Sequence, residues 1–205
     1  MVYFFTIPEG YVLYMGKDKY ENEELIKYAW KEDVWFHVDD LSSAHVYLRL
    51  KEEFVSFDQI PPAVVEKCAQ LTKANSIEGS KKAQVDVIYT PASNLKKTIQ
   101  MEVGAVGYHN HKLVKTIEEV EKNREMLKAI EKTQKESFPD LADALQRHED
   151  EKRLKLKSQY NEQKKAQKEL EKVKNQEKAM WEEARKQFEV NNNSTPKNDP
   201  DDDFI

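Results

Sequence analysis

From Asp140 to Val190 the chain runs for 51 residues without a glycine or a proline. A stretch that long with no breaker is predicted as one continuous helix. Its apolar positions are thin: Leu141, Leu145, Leu154, Ala166, Leu170, Val173, Met180, Ala184 and Phe188. Such a stripe can line a coiled-coil seam but cannot build a globular core. A compact fold therefore has to come from the residues before it. Charge divides the same way. Residues 1–112 hold 13 Lys+Arg against 16 Asp+Glu, residues 113–190 hold 19 against 18, and residues 191–205 hold 1 against 4. The net charge of -5 is thus an average over unlike segments.

The first part is long enough to bury a core alone. Its single cysteine, Cys68, excludes an intramolecular disulfide and reads as a small core residue in a reducing compartment. The N-terminus, Met-Val-Tyr-Phe-Phe-Thr, lacks the basic and apolar regions of a secretory signal. No stretch approaches the roughly 18 apolar residues of a membrane span. The expectation is a soluble protein of the cytoplasm or nucleus.

Two aromatic and β-branched runs, 2–5 and 11–15, flank Pro8-Glu9-Gly10 and predict a β-hairpin. Residues 17–30 predict a helix, 34–38 and 44–50 strands, and Pro61-Pro62 opens a second helix carrying Val64, Val65, Cys68 and Leu71. Further strands are expected at 85–90 and 112–117. The spacing of Leu113, Ile117, Val120 and Leu127 then suggests a helix over 118–135, ended by Pro139. The expected fold class is α+β. A single N-terminal domain over 1–117 has a mixed β-sheet of roughly five to seven strands with flanking helices. A charged helical or coiled-coil region over 118–190 and a disordered acidic tail over 191–205 follow it.

No phosphate loop, dinucleotide fingerprint or nucleophile elbow occurs. His109 and His111 lack a third ligand, and one cysteine cannot make a zinc ribbon, so neither metal nor cofactor is expected. Four constellations remain. Asp33-Val-Trp-Phe-His37, followed by Asp39, Asp40, Ser42, Ser43 and His45, has the residue types of a hydrolase edge. His37 would act as general base on an RNA or peptidyl-tRNA ester, with Asp33, Asp39 or Asp40 orienting it and Ser42 or Ser43 assisting. Ordinary turn and cap chemistry explains the same residues. Gly16, Lys17, Asp18, Lys19, Tyr20, Glu21 and Asn22 stand where a strand meets a helix, with amides and lysines for phosphate and a ring for a base. Tyr89-Thr90-Pro91 leads into Lys96 and Lys97, a second basic turn. Finally, residues 152–178 carry ten basic side chains and four acidic ones, a polyanion-binding surface by composition.

In this order these blocks, ending in Gly104-Ala-Val-Gly107, resemble the NFACT-R module, the RNA-binding portion of ribosome-associated quality-control factors. The resemblance covers about residues 1–117. It implies a non-enzymatic nucleic-acid-binding protein without a cofactor, taking tRNA or ribosomal RNA and acting with the ribosome. It also implies contacts from Lys17, Asp18, Lys19, Tyr20, Glu21, Asn22, Lys96 and Lys97. The family commonly places Arg after the first glycine, where this chain has Lys17, a point charge in place of a fork. In a relative of this kind the block from Lys17 to Glu21 is implicated in DNA binding at the cell membrane. A receptor for extracellular DNA, and a coiled-coil adaptor that self-associates or binds a partner, are therefore alternatives beside the hydrolase.

Overall fold

Pro8, Glu9 and Gly10 reverse the chain between β1 (Val2–Thr6) and β2 (Val12–Gly16). Gly10 takes φ +79° there, a left-handed conformation that glycine adopts without a Cβ penalty. In the computed structural model, which describes residues 1–51 and 56–193 with side chains through Phe188, the order continues with α1 (Lys19–Tyr28), β3 (Val34–Val38), β4 (Val46–Arg49) and α2 (Pro62–Ala74). Then come β5 (Gln84–Pro91), the short hairpin β6 (Leu95–Lys96) and β7 (Gly107–Tyr108), β8 (Lys115–Glu121), α3 (Arg124–Glu131), β9 (Lys135–Ser137) and α4 (Leu141–Asn193).

Seven strands form one sheet in the order β8-β5-β3-β4-β2-β1-β9. The α+β class is as expected. The mixed sheet is not: each ladder of the described strands is antiparallel.

Strand β3 shows how the layers assemble. Val34, Phe36 and Val38 face Val64, Cys68 and Leu71 of α2 and Leu127 and Ile130 of α3. Trp35 points the other way, into Tyr14, Tyr47 and Leu25 of α1, with Leu95, Tyr108 and Leu141 partly covering that layer. Both faces are dry, with Trp35 1% and Phe36 0% exposed. Each such aromatic removes roughly 150–250 Å² from water, about 4–6 kcal/mol of transfer free energy. Cys68 is buried in the core, as its helical neighbours predicted, and burial pushes its thiol far above the ordinary range.

The expected helix over 118–135 does not form as such. Residues 115–121 are β8, and the helix begins only at Arg124, where the Asn123 side chain accepts the Met126 amide. The helical-looking spacing of Ile117 and Val120 comes from a bulge. Ile117 pairs with Val87 and Val120 with Val85, so three positions on β8 match two on β5. Glu119 takes up the extra residue at φ 54°, its amide held by the Asp86 carboxylate. The alternation is reset and both side chains point inward. After α3, β9 pairs with β1 at the sheet edge.

The compact unit therefore runs from Met1 to Glu149, past the boundary expected near 117. Residues 150–193 belong to a second unit, the remainder of α4, whose described side chains from Glu151 to Phe188 are all exposed. The helix continues through Asn193, into the segment expected to be tail; residues 194–205 lie outside the described residues.

Candidate nucleic-acid interface

The junction of β2 and α1 is built around Gly16. A Cβ on Gly16 would stand 2.7 Å from Asn22 Oδ1 and 2.9 Å from the Asn22 nitrogen. Only glycine lets the strand end and the first helical turn meet this closely. Asn22 is buried by that contact, and its Oδ1 has no hydrogen-bond partner.

Asp18 caps α1. One carboxylate oxygen accepts the Tyr20 amide at 2.9 Å and the Glu21 amide at 3.1 Å, and these bonds hold its carboxyl below the usual range. The amides expected to cradle a phosphate are thus spent on Asp18. What remains for a ligand is Lys17, Lys19 and Tyr20, all exposed, with the Lys19 ammonium 5.3 Å from the Tyr20 ring centre. Glu21 pairs with the Met1 amino group.

The two lysines of the second basic turn have different roles. Lys96 is exposed. Lys97 turns inward, donating to the Glu102 carbonyl at 2.7 Å and the Ala105 carbonyl at 2.9 Å and pairing with Glu23 of α1 at 2.9 Å. Glu23 also accepts the Gly104 amide at 2.8 Å. Gly104 sits at φ +83°, and a Cβ there would touch the Lys19 side chain at 3.7 Å. Glu23 and Lys97 therefore fasten the loop after β6 beside the first turns of α1. Neither Glu23 nor the inward role of Lys97 carried a signal in the sequence, since 74 positions separate the two.

A layer of rings lies on the same face of the sheet. The Trp35 Nε1–H donates to His45 Nδ1 at 2.9 Å, and His37 stacks on Trp35 with ring centres 5.3 Å apart. Burial drives His45 down to about 3, the neighbouring His37 adds to this, and a backbone hydrogen bond to Gly104 opposes it. His45 is neutral at physiological pH and works as an acceptor inside the wall. His37 is partly buried, lowered by burial, and its Nδ1 meets the Val38 carbonyl at 2.7 Å.

Asp33 and the two serines of the hydrolase constellation are not assembled around His37, and of its carboxylates Asp39 acts on the His37 charge. Asp33 is fully buried, accepting the Tyr14 hydroxyl at 2.5 Å and pairing with Arg49 at 3.1 Å. It stands just before β3, four residues from His37, roughly 13 Å away at the rise of an extended chain. Ser43 accepts the Val38 amide and donates to the Ala44 carbonyl, while Ser42 supplies its carbonyl to the Ser76 hydroxyl. Asp39 and Asp40 are exposed, Asp40 in a left-handed turn at φ 54°. The Arg49 guanidinium lies 3.5 Å over the Trp30 ring, and His148 stacks on Trp30 at 3.5 Å. Arg49 and Trp30 make an interior brace that the sequence reading missed. Among the described residues no cluster of three or more metal-ligating side chains occurs, and no helix is long and apolar enough to cross a membrane.

Residues 1–110, which contain this arrangement apart from His148, match the family model described as the NFACT protein RNA binding domain. The chain belongs to the NFACT RNA-binding-domain family. The resemblance carried by Gly16, Lys17, Tyr20, Asn22 and the Asp33–His37 strand is borne out. Members of similar length support it. Coiled-coil domain-containing protein 25 of Bos taurus is 51% identical over 173 residues, covering 82% of this chain and 83% of its own. The homolog of that protein in Dictyostelium discoideum is 53% identical over 141 residues, 69% of this chain and 68% of its own. Among solved structures, the C-terminal part of the fibronectin/fibrinogen-binding protein from Streptococcus suis shares the fold. It has a TM-score of 0.52 at 23% identity, over 62% of this chain and 47% of that one.

Proposed function

We propose that this NFACT-family protein is a non-enzymatic RNA-binding protein. Its compact unit takes the phosphate backbone and bases on the face made by Lys17, Lys19, Tyr20 and Lys96. The observation that supports this best is the division of labour among the basic side chains. Lys97 and Arg49 are consumed by interior partners, whereas Lys17, Lys19 and Lys96 reach solvent within the segment matched to an RNA binding domain. Asp18, Glu21 and Asn22 act one step back, by capping α1, holding the N-terminal amine and closing the Gly16 junction. Tyr20, 66% exposed beside Lys19, offers a stacking surface. We place the ligand among tRNA and ribosomal RNA, on ribosomes in the cytoplasm, in the translation quality control that the family resemblance implies. DNA satisfies the same phosphate contacts.

The test is fluorescence anisotropy with a tRNA and a single-stranded oligoribonucleotide at ~0.15 M salt. The triple variant Lys17→Glu, Lys19→Glu, Lys96→Glu is expected to bind at least ~10-fold more weakly, with an unchanged circular dichroism spectrum. Unaltered affinity would remove this face from the interaction. A His37→Ala variant tests the hydrolase alternative, which requires ester turnover by the native chain that this variant loses; undiminished turnover by the variant would sink it.

A further inference from the structure

The basic middle of α4 is not explained as a helix that merely solvates itself. An isolated charged helix is stabilised when Glu precedes Lys or Arg by four positions. Between residues 152 and 178 the acids are Glu162, Glu169, Glu171 and Glu177, and the residues four positions on are Ala166, Val173, Asn175 and Trp181. None completes such a pair, and the acids find lysines only three positions on, at Glu162–Lys165, Glu169–Lys172 and Glu171–Lys174, of which Lys172 pairs with Glu169 at 3.5 Å. The bases instead repeat at the spacing of four: Arg153 with Lys157, Lys164 with Lys168, Lys168 with Lys172, and Lys174 with Lys178. Like charges one turn apart repel, so the free helix carries a local conflict that a polyanion would relieve.

The charges are also sorted around the axis. At 3.6 residues per turn, Arg153, Lys157, Lys164 and Lys168 fall within about 60° of one another, a column about 22 Å long. Glu151, Glu162 and Glu169 lie about 140° round the helix from that column, while Glu171 falls on its side one turn beyond Lys168. The side chains of the column are exposed; Arg153 also pairs with Asp150 at 2.8 Å. Tyr160 stands at the edge of the column between Lys157 and Lys164, 62% exposed, with the Lys164 ammonium 6.0 Å from its ring. Leu156 and Tyr160 stand about 40° apart on one flank of the column and Leu154 lies on the other flank.

We infer that Arg153, Lys157, Lys164 and Lys168, with Tyr160, form a second nucleic-acid site that holds the phosphodiester backbone of a single strand and stacks one of its bases. This rests on the RNA-binding reading of the compact unit and extends it to a separate element of the same chain. Two sites on one chain raise each other's effective concentration.

The test uses the full chain, a 20-nucleotide oligouridylate and a KCl series, with log Kd plotted against log salt. The column variant carries Gln at 153, 157, 164 and 168. Its slope is expected to be shallower by about 3, since each lost phosphate contact on a single strand removes roughly 0.7. An off-column variant with Gln at 152, 155, 165 and 174 removes as many charges and is expected to change the slope by less than about 1. Circular dichroism should show undiminished helix in both. Tyr160→Ala is expected to weaken binding without changing the slope. Equal slopes for the two Gln variants would reduce the column to diffuse charge and overturn the proposal. So would loss of binding to phosphatidylserine vesicles with the RNA slope unchanged. If only the Lys17, Lys19, Lys96 variant weakens binding, the helix site fails and the compact-unit reading stands. If only the column variant does, the compact-unit face fails instead.

Discussion

The basic side chains of the compact unit and those of the distal helix share a chemistry and differ in surroundings. In the compact unit, Lys73 is 1% exposed and donates to the Ala83 and Val120 carbonyls at 2.8 Å each. Lys97 ties a loop to α1, Arg49 neutralises Asp33, and Lys67 and Lys115 pair with Glu9 and Asp58. In the helix beyond residue 149 the cations stand in water, and the ion pairs Arg153–Asp150 and Lys172–Glu169 are solvent-facing. These cations of the compact unit are tied to partners that hold the fold together; those of the distal helix face water. The contrast also limits what composition can say, because the residue count alone assigns both groups the same weight.

The largest test of this contrast sets two aspartates against each other. Asp33→Ala strands the Arg49 guanidinium and the Tyr14 hydroxyl, and it should cost about 3–5 kcal/mol in urea unfolding. Asp150→Ala, in an exposed pair, should change stability by less than ~0.5 kcal/mol. Lysines make the next test. Lys73→Met leaves two carbonyls unsatisfied and should cost about 2–4 kcal/mol, whereas Lys168→Met should stay within ~0.5 kcal/mol. An equal cost at both sites would erase the distinction.

Acid titration probes the same boundary. His45 titrates in the folded state at about 3, against ~6.5 in the unfolded chain. Between these values the unfolded chain holds a proton that the native state refuses. The stability is therefore complete above pH ~6.5 and falls as pH drops, by up to ~1.4 kcal/mol per pH unit. Urea unfolding at pH 5 should show a loss of about 2 kcal/mol relative to pH 7. A His45→Gln variant, which keeps an acceptor for the Trp35 indole, should lose most of that slope.

Adjacent lysines give the smallest and sharpest comparison. Lys97→Ala should cost about 1–2 kcal/mol and raise exchange of the amides in the loop after β6. Lys96→Ala should leave stability within ~0.5 kcal/mol and weaken RNA binding instead. If the two exchanged behaviours, the assignment of inner and outer lysine would be reversed.

Much of the architecture was legible because local signals and tertiary environment agree. The hairpin turn at Gly10, the proline start of α2 and the strand at Val34–Val38 follow from residues that have few alternative conformations. The failure over 115–121 has an equally specific cause. A spacing of three between Ile117 and Val120 is shared by a helix and by a strand with one bulged residue, and only the register against Val85 and Val87 separates them. The candidate site was legible in part. Gly16, Lys17, Lys19 and Tyr20 sit at a predictable strand-to-helix junction. Glu23, Arg49 and Trp30 matter through partners far away in sequence, and no local pattern marks them.

Sequence by itself determined the division into a globular part and a long helix, because freedom from breakers and hydrophobic periodicity are local properties of the chain. It also carried the family resemblance, through Gly16, Asn22 and the Asp33–His37 run. Tertiary structure alone decided which charges are available. Asp18 spends the α1 amides, Lys97 is turned inward and Asp33 is kept from His37. A charged group's role depends on whether water or a buried counter-group solvates it, and that is settled only when distant segments come into contact.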